Sequence, residues 1–170
     1  MEDKDEIRIC VACLASYNDG TLHGAWIDAT QGEDGIWRDV SQMLLKSPAE
    51  HAEEWAIHDY DGFGDIYLSE GASFEAVACY ADFIEEHGDL GAKLISYYGD
   101  LEDAREAISD HYAGQYDSLS DYAEQLTEET TQIPESLRFY IDYEKMAADM
   151  EINDVLAIKS GHSVHVFWRH

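Results

Sequence analysis

The chain has 170 residues, of which 45% are hydrophobic and 12% aromatic, too many for a disordered acidic tail and enough for a core. It carries 37 acidic and 10 basic side chains, so its formal net charge is -27. Such a charge repels nucleic acid and anionic membranes, and it favours basic partners, metal cations or high salt. We therefore expect a protein that binds neither nucleic acid nor membrane.

The termini and the cysteines give expectations about the compartment. Met1 to Glu6 are acidic and polar, unlike the basic and then apolar start of a signal peptide, and no apolar run is long enough to span a membrane. Three cysteines, an odd number, suit a reducing compartment. Cys10 and Cys13 lie in a strand-like run at an odd spacing, which predicts buried apolar residues better than a metal or redox pair. We expect a cytoplasmic protein without metal or cofactor.

The first sixty residues predict a small α+β unit. Strand-forming residues over 7–15 and 22–29 flank the turn signal at 17–20 and so predict a hairpin. Apolar residues at helical spacing predict a helix over 36–46, and the run at 55–60 predicts a third strand.

Helical patterns dominate from Ser73 onward. Ser73 is a suitable N-cap for a helix that Gly88 ends. The pattern then predicts helices over 90–98, 101–110, 119–129 and from 134 toward 150, followed by strands over 155–158 and 163–168. The fold class is therefore α+β, arranged as one large domain or as two or three small ones.

The acidic residues are concentrated in one part of the chain. Residues 59–129 hold 19 acidic and two basic residues, a net charge of -17, whereas the last 41 residues hold six acidic and four basic, a net charge of -2. We predict that these 19 acidic residues form the functional surface, and we call them the acidic set: Asp59, Asp61, Asp65, Glu70, Glu75, Asp82, Glu85, Glu86, Asp89, Asp100, Glu102, Asp103, Glu106, Asp110, Asp117, Asp121, Glu124, Glu128 and Glu129.

The spacing of these residues repeats along three predicted helices. Offsets of three, four or seven residues place like charges on one helical face, at a cost of roughly 0.2–0.5 kcal/mol per pair. The three groups are Glu75, Asp82, Glu86 and Asp89; Asp103, Glu106 and Asp110; and Asp121, Glu124 and Glu128. A surface without function would mix the two signs of charge. The repetition indicates a selected negative ridge, with ordinary solvated helix faces as the alternative.

The size of the charge can be compared with that of duplex DNA. A duplex carries about one charge per 1.7 Å of axis, so the 27 net negative charges equal about 46 Å, or about 13 to 14 base pairs. Carboxylates and phosphates both accept paired hydrogen bonds from arginine. A DNA-binding groove could therefore accept this surface.

Three segments carry a resemblance to a known family. They are Glu-Glu-Trp-Ala-Ile-His-Asp-Tyr-Asp-Gly-Phe at 53–63, Tyr-Ala-Gly-Gln-Tyr-Asp-Ser at 112–118 with Asp-Tyr-Ala-Glu at 121–124, and Ile-Pro-Glu at 133–135 with Tyr-Ile-Asp-Tyr at 140–143. Together with the opening strand and the final His-Val-Phe at 165–167, they resemble the ArdA-type antirestriction proteins of plasmids and conjugative transposons. The likeness covers nearly the whole chain.

This resemblance implies both an architecture and an activity. The implied subunit has three small domains: an N-terminal α+β domain over 1–61, a central helical domain over 62–103, and a C-terminal α+β domain over 104–170. Two subunits would pair through the C-terminal domain into an elongated, curved homodimer that mimics B-form DNA. It would inhibit Type I restriction-modification enzymes by occupying the DNA-binding groove of their methyltransferase core, without catalysis. Tyr112, Tyr116 and Tyr122 are candidate contacts at the dimer interface, with core packing as the alternative use.

Three other hypotheses compete with that of an antirestriction protein. An EF-hand calcium loop over 59–70 matches at positions 1, 3, 6, 8 and 12, but Phe63 occupies the ligand position 5. A halophilic protein would be acidic throughout, unlike the nearly neutral last 41 residues. An enzyme would require a catalytic pattern, and the sequence contains no nucleophile elbow, phosphate loop, HExxH spacing or zinc pattern.

Overall fold

The computed structural model describes residues 6–49 and 52–169. Over these ranges the fold is α+β, as predicted, with seven α-helices and two three-stranded antiparallel sheets. The chain separates into two compact units, unit 1 (1–101) and unit 2 (102–170). The three-domain arrangement also requires a domain boundary between residues 61 and 62, and this boundary stays a prediction. Residues 1–5, on which the signal-peptide argument rests, lie outside the described ranges. None of the described helices combines the length and the apolar character that crossing a membrane requires.

The sheet of unit 1 has its first strand in the centre. The strands are β1 (Arg8–Cys13), β2 (Gly24–Asp28) and β3 (Trp55–Asp61), and β1 pairs antiparallel with both neighbours. A short helix, α1 (Leu14–Asn18), lies in the connection between β1 and β2, where the sequence predicted a simple hairpin. The turn signal does form a turn, because the Gly20 N–H donates to the Tyr17 carbonyl, but this turn follows the helix.

Helix α2 (Gly32–Leu45) begins four residues before the predicted helix. The side chain of Asp28 explains the early start, since it accepts a hydrogen bond from the Thr30 N–H at 2.8 Å and caps the turn that leads into α2. Ile36, Val40 and Met43 are buried, as the apolar spacing predicted.

Helices α3 (Phe74–His87) and α4 (Asp89–Tyr98) complete unit 1. The Ser73 hydroxyl accepts a hydrogen bond from the Ala76 N–H at 3.1 Å and so caps α3. At the other end Gly88 has a φ of 65°, a conformation that favours glycine and interrupts the helix. The two predicted boundaries are confirmed.

Unit 2 surrounds a second sheet with the strand order β4-β6-β5. Its elements are α5 (Leu101–Glu106) continued by a wider helical turn over Ala107–His111, β4 (Tyr112–Tyr116), α6 (Leu119–Thr130), a tight helical segment over Glu135–Tyr140, α7 (Tyr143–Asn153), β5 (Val155–Ser160) and β6 (Ser163–Trp168). Its core centres on Tyr122, Val155 and Val166, with Leu119 and Leu126 of α6 packed around them.

Two features of unit 2 differ from the sequence-based expectations. Strand β4 was missed, because it has five residues with Gly114 at a φ of 127° and forms only by pairing with β6. The single helix predicted from residue 134 was wrong. The chain instead forms the 135–140 segment and then α7, because the Asp142 carboxylate caps a new helix by accepting the Lys145 N–H at 3.0 Å.

A hydrogen bond joins Tyr112 of β4 to His165 of β6. The Tyr112 hydroxyl lies 2.8 Å from His165 Nδ1, and the two rings stack with their centroids 5.8 Å apart. Burial lowers the pKa of His165 below its usual value of 6.5, because desolvation disfavours the charged ring. The folded state therefore favours the neutral form of this histidine more than the unfolded chain does.

Removal of the cap of α3 tests the assignment of its first turn. We expect Ser73→Ala to lower the free energy of unfolding by about 0.5–2 kcal/mol, because the Ala76 N–H loses its acceptor. Urea denaturation measures the change. Ser96→Ala is the control, since Ser96 is exposed within α4 and alanine is the better helix former. Equal losses in the two variants would contradict the capping role.

The lowered pKa of His165 predicts a dependence of stability on pH. At a pH between 6.5 and the lower folded-state pKa, the His165 ring binds a proton in the unfolded chain but not in the folded chain. The contribution of His165 to the free energy of unfolding therefore falls as the pH falls through 6.5. We expect the difference in unfolding free energy between the parent and His165→Gln to shrink from pH 7.5 to pH 5.5. A difference that stays constant for His165→Gln would refute the assignment.

Candidate functional site

All 19 members of the acidic set are exposed to solvent. In unit 1 they lie on β3, on the loop that follows it, on α3 and around α4, and in unit 2 they lie on α5, on the wide turn and on and beside α6. Most are therefore carried by regular secondary structure, which limits how far each carboxylate can move. Their action as one functional surface stays a prediction.

The acidic face of α3 is shorter than the spacing predicted. Glu75, Asp82 and Glu86 lie on this helix at offsets of seven and four residues, so they share a face. The inclusion of Asp89 was wrong, because α3 ends at His87 and the positive φ of Gly88 breaks the helical phase. Asp89 instead begins α4, where its carboxylate lies 2.9 Å from the Lys93 ammonium one turn later.

The acidic group on α5 also differs from the predicted arrangement. Asp103 and Glu106 lie on α5, but Asp110 lies in the wider turn over Ala107–His111. Hydrogen bonds in such a turn span five residues, so an offset of four no longer has the angle of a regular α-helix. The α-helical phase that was used to align Asp110 with Glu106 therefore does not apply.

The group on α6 lies on one uninterrupted helix, as predicted. Asp121, Glu124 and Glu128 recur at offsets of three and four residues within Leu119–Thr130, so they form one negative face. The Ser118 hydroxyl caps the helix by accepting the Asp121 N–H at 3.1 Å. On the opposite side Tyr122 and Ala123 are buried in the core, which fixes the rotation of the acidic face toward solvent.

Ion pairs neutralise this surface only in part. The basic residues of the 59–129 stretch form close pairs within their own helices, Lys93 with Asp89 at 2.9 Å and Arg105 with Glu102 at 3.0 Å. Two further pairs join Arg8 to Asp61 at 3.1 Å and Arg138 to Glu128 at 3.6 Å. All four are exposed, where such pairs contribute about 0–1 kcal/mol. Basic side chains of a partner can compete for these carboxylates at small cost.

A groove with a volume of about 710 Å³ opens on unit 1, and two carboxylates outside the acidic set help to line it. Glu85 and Asp89 of the acidic set line it, together with Glu6 and Asp28. On its wall the Arg8 guanidinium lies 4.4 Å from the centre of the Trp26 ring. Glu6 and Asp28 precede the dense acidic stretch in sequence, so only the pairing of strands brings them beside α3 and α4.

The three candidate tyrosines occupy different environments. Tyr112 is 42% exposed, and Tyr116 is half-buried with its hydroxyl donating to the Ala113 carbonyl at 3.2 Å. Tyr122 is only 4% exposed and belongs to the core of unit 2. Of the three, Tyr112 has the most surface to offer a second subunit. Their role in a dimer stays a prediction.

The segment considered as a calcium loop has another structure. Asp59 and Asp61 belong to strand β3, and Asp61 accepts a hydrogen bond from the Arg8 guanidinium at 3.1 Å. The Glu70 carbonyl accepts the Ile57 N–H at 2.9 Å, so the chain returns along the edge of β3 instead of encircling an ion. Residues 6–49 and 52–169 contain no group of three or more histidine, cysteine, aspartate or glutamate side chains placed to hold a metal. The structure of these residues gives no support to the hypothesis of an EF-hand calcium loop over 59–70.

The Cys-x-x-Cys pair is divided between two environments. Cys13 is buried, with its sulfur 3.3 Å from the Ser47 hydroxyl, which in turn lies 2.6 Å from the Ser16 hydroxyl. Cys10 is half-buried on the strand and, like Cys13, carries a free thiol. The Cys13 side chain has a structural role in joining β1 to the residues that follow α2.

A comparison with protein families identifies the family of the chain. The model of the family described as antirestriction protein (ArdA) matches residues 9–164 of the 170, and so spans both units. No curated protein matches the sequence. Because the family match covers nearly the whole chain, the protein belongs to the ArdA family of antirestriction proteins.

Proposed function

We propose that the protein inhibits Type I restriction-modification enzymes by mimicking B-form DNA. In this proposal the acidic set occupies the DNA-binding groove of the methyltransferase core, and the protein catalyses nothing itself. It acts in the cytoplasm as a homodimer and protects DNA that enters the cell. Membership of the antirestriction family supports the biological role, and the surface chemistry supports the mechanism.

The observation that carries the mechanism is the exposure of every acidic residue between 59 and 129. Nineteen carboxylates face solvent in a stretch with two basic residues. A groove that binds DNA recognises the phosphate backbone chiefly through lysine and arginine, without reference to sequence. Carboxylates held on strands and helices offer the same type of acceptor to the same side chains. The groove is then filled by an anion that the enzyme cannot cleave.

The scaffold contributes rigidity to this mimicry. A disordered acidic chain would lose conformational entropy on entering a groove, and this loss would weaken binding. Helix α6 instead holds the Cβ atoms of successive members of the series Asp121, Glu124 and Glu128 about 5–6 Å apart before any partner is present. The cost of bringing like charges together is thus met by folding of the protein and not by binding.

Neutralising part of the acidic set tests the proposal. We expect the variant Asp103→Asn, Glu106→Gln, Asp110→Asn, Asp121→Asn, Glu124→Gln and Glu128→Gln to inhibit a Type I enzyme roughly 100-fold less well. Six lost contacts of about 0.5 kcal/mol each amount to about 3 kcal/mol, or about two powers of ten. The measurement is the concentration that halves restriction of unmodified DNA. Each substitution alone should change this concentration little.

The control removes six negative charges from other exposed positions. It carries Asp19→Asn, Glu53→Gln, Glu54→Gln, Glu144→Gln, Asp149→Asn and Glu151→Gln, so both variants have the same net charge. The control should keep most of the inhibition. Equal inhibition by the two variants would mean that total charge matters and the position of the acidic set does not, which would contradict the proposal.

A further inference from the structure

The groove on unit 1 combines an apolar wall with a negative rim. Its apolar wall consists of the buried side chains of Ile7, Ile27, Ile84 and Ala92. Its carboxylates are exposed and belong to Glu6, Asp28, Glu85 and Asp89. The volume of about 710 Å³ lies within the range of about 300–1,000 Å³ that is usual for binding pockets. The groove therefore suits a guest that is partly apolar and positively charged.

Close backbone contacts hold the walls of this groove in position. Gly62 has a φ of 85°, and a Cβ atom at this position would lie 2.6 Å from the Glu6 carbonyl oxygen. A Cβ atom on Gly64 would lie 3.1 Å from that of Ala92 on α4. The loop that follows β3 therefore lies directly against the residues before β1 and against α4, which only glycine permits at position 62. A groove that is already formed binds a guest at a lower cost in conformational entropy.

Arg8 shows how a guanidinium group is received on this wall. Its guanidinium lies 4.4 Å from the centre of the Trp26 ring and donates to the Asp61 carboxylate at 3.1 Å. Stacking on an aromatic ring and pairing with a carboxylate are contacts to which arginine is especially suited. Trp26 remains 43% exposed, so part of its side chain is accessible to a guest. Because Asp61 balances the charge of Arg8, the carboxylates that line the groove keep most of their negative charge.

Charge complementarity indicates which guest fits the groove. An anion would be repelled, and a neutral apolar guest would remove water from the carboxylates without replacing its hydrogen bonds. An arginine side chain has an apolar stem and a head that stays charged. The stem matches the surface of Ile27 and Ile84, and the head matches the carboxylate of Glu85. Asp89 contributes less, because the Lys93 ammonium lies 2.9 Å from it.

We propose that the groove on unit 1 receives an arginine side chain of a partner protein. Trp26 and the apolar wall contact its stem, and Glu85 accepts hydrogen bonds from its guanidinium. This inference rests on the proposed function for the identity of the partner, a Type I enzyme whose DNA-binding surface presents basic side chains. The groove then adds one localised contact to a surface that otherwise acts through the sum of many charges.

Titration of the ¹⁵N-labelled full chain with the peptide acetyl-Gly-Arg-Gly-amide tests the inference by NMR. At a salt concentration of about 0.15 M we expect saturable shifts of the Trp26 indole N–H signal, which is assigned by its loss in Trp26→Phe. The same peptide with neutral citrulline in place of arginine should cause no such shift. Glu85→Gln should weaken the binding of the arginine peptide about fivefold, the loss expected for one exposed ion pair.

Glu53→Gln is the matched control for Glu85→Gln. It makes the same chemical change at an exposed position in unit 1. Strand β3 separates Glu53 from Gly62 of the groove by about 20 Å, more than twice the Debye length of about 8 Å at this salt concentration. Glu53→Gln should therefore bind the peptide like the parent. The amide spectra verify that both variants fold.

Three outcomes would overturn the inference. The first is a Trp26 signal that does not respond to the arginine peptide, or a folded Glu85→Gln variant that binds it like the parent. The second is a set of shifts that are equally large along α6, which would show diffuse attraction of a cation to the acidic surface. The third is saturation by spermidine without a response to the peptide, which would assign the groove to a free polyamine.

The titration separates this inference from the proposed function, because it contains no restriction enzyme. Failure of the peptide to bind would overturn the arginine site and leave the DNA mimicry standing. Undiminished inhibition by the acidic-set variant would overturn the mimicry, and that variant keeps every residue that lines the groove.

Discussion

Repulsion between like charges is the constraint to which the whole structure responds. Each carboxylate on the faces of α3 and α6 raises the free energy of the folded state, since it stands beside others at helical spacing. Burial of apolar side chains must offset this cost. In unit 2 that contribution comes from Tyr122 of α6, which packs against Val155 of β5 and Val166 of β6. The same helix thus carries both the core contact that stabilises the fold and the charge that opposes it.

Side-chain caps fix the starts of three helices, α3, α6 and α7. Ser73, Ser118 and Asp142 each accept a backbone N–H at the start of a helix. A cap contributes about 1 kcal/mol, comparable to several like-charge pairs, and it fixes where the helix begins. The position of the first residue then determines which side chains face solvent. Local hydrogen bonds thereby set the phase of the acidic faces.

The sequence was most informative where structure is decided locally. The boundaries of α3 followed from Ser73 and Gly88, and the exposed face of α6 followed from the spacing of its apolar and acidic residues. The family resemblance was confirmed by the match over residues 9–164. These inferences succeed because caps, breaks and periodicity act within a few residues.

Features that depend on distant partners were missed. Strand β4 exists because β6 pairs with it, and no local pattern around Gly114 reveals that partner. The sequence argument assumed one constant helical phase along each acidic group. That phase changes at the wider turn that contains Asp110 and at Gly88, which separates Asp89 from α3. Glu6 and Asp28 reach the groove on unit 1 only because strands distant in sequence pair there. The sequence thus predicts many residues of the candidate surface, whereas their arrangement depends on contacts between distant parts of the chain.

We propose that this surface and duplex DNA occupy the same groove of a Type I enzyme. The most direct measurement is displacement of a fluorescently labelled duplex from a purified Type I methyltransferase core by the protein, followed by anisotropy. Mimicry predicts complete release of the duplex, with no complex that contains both, and a competing affinity that weakens as salt rises. A stable complex of enzyme, duplex and protein together would contradict the account.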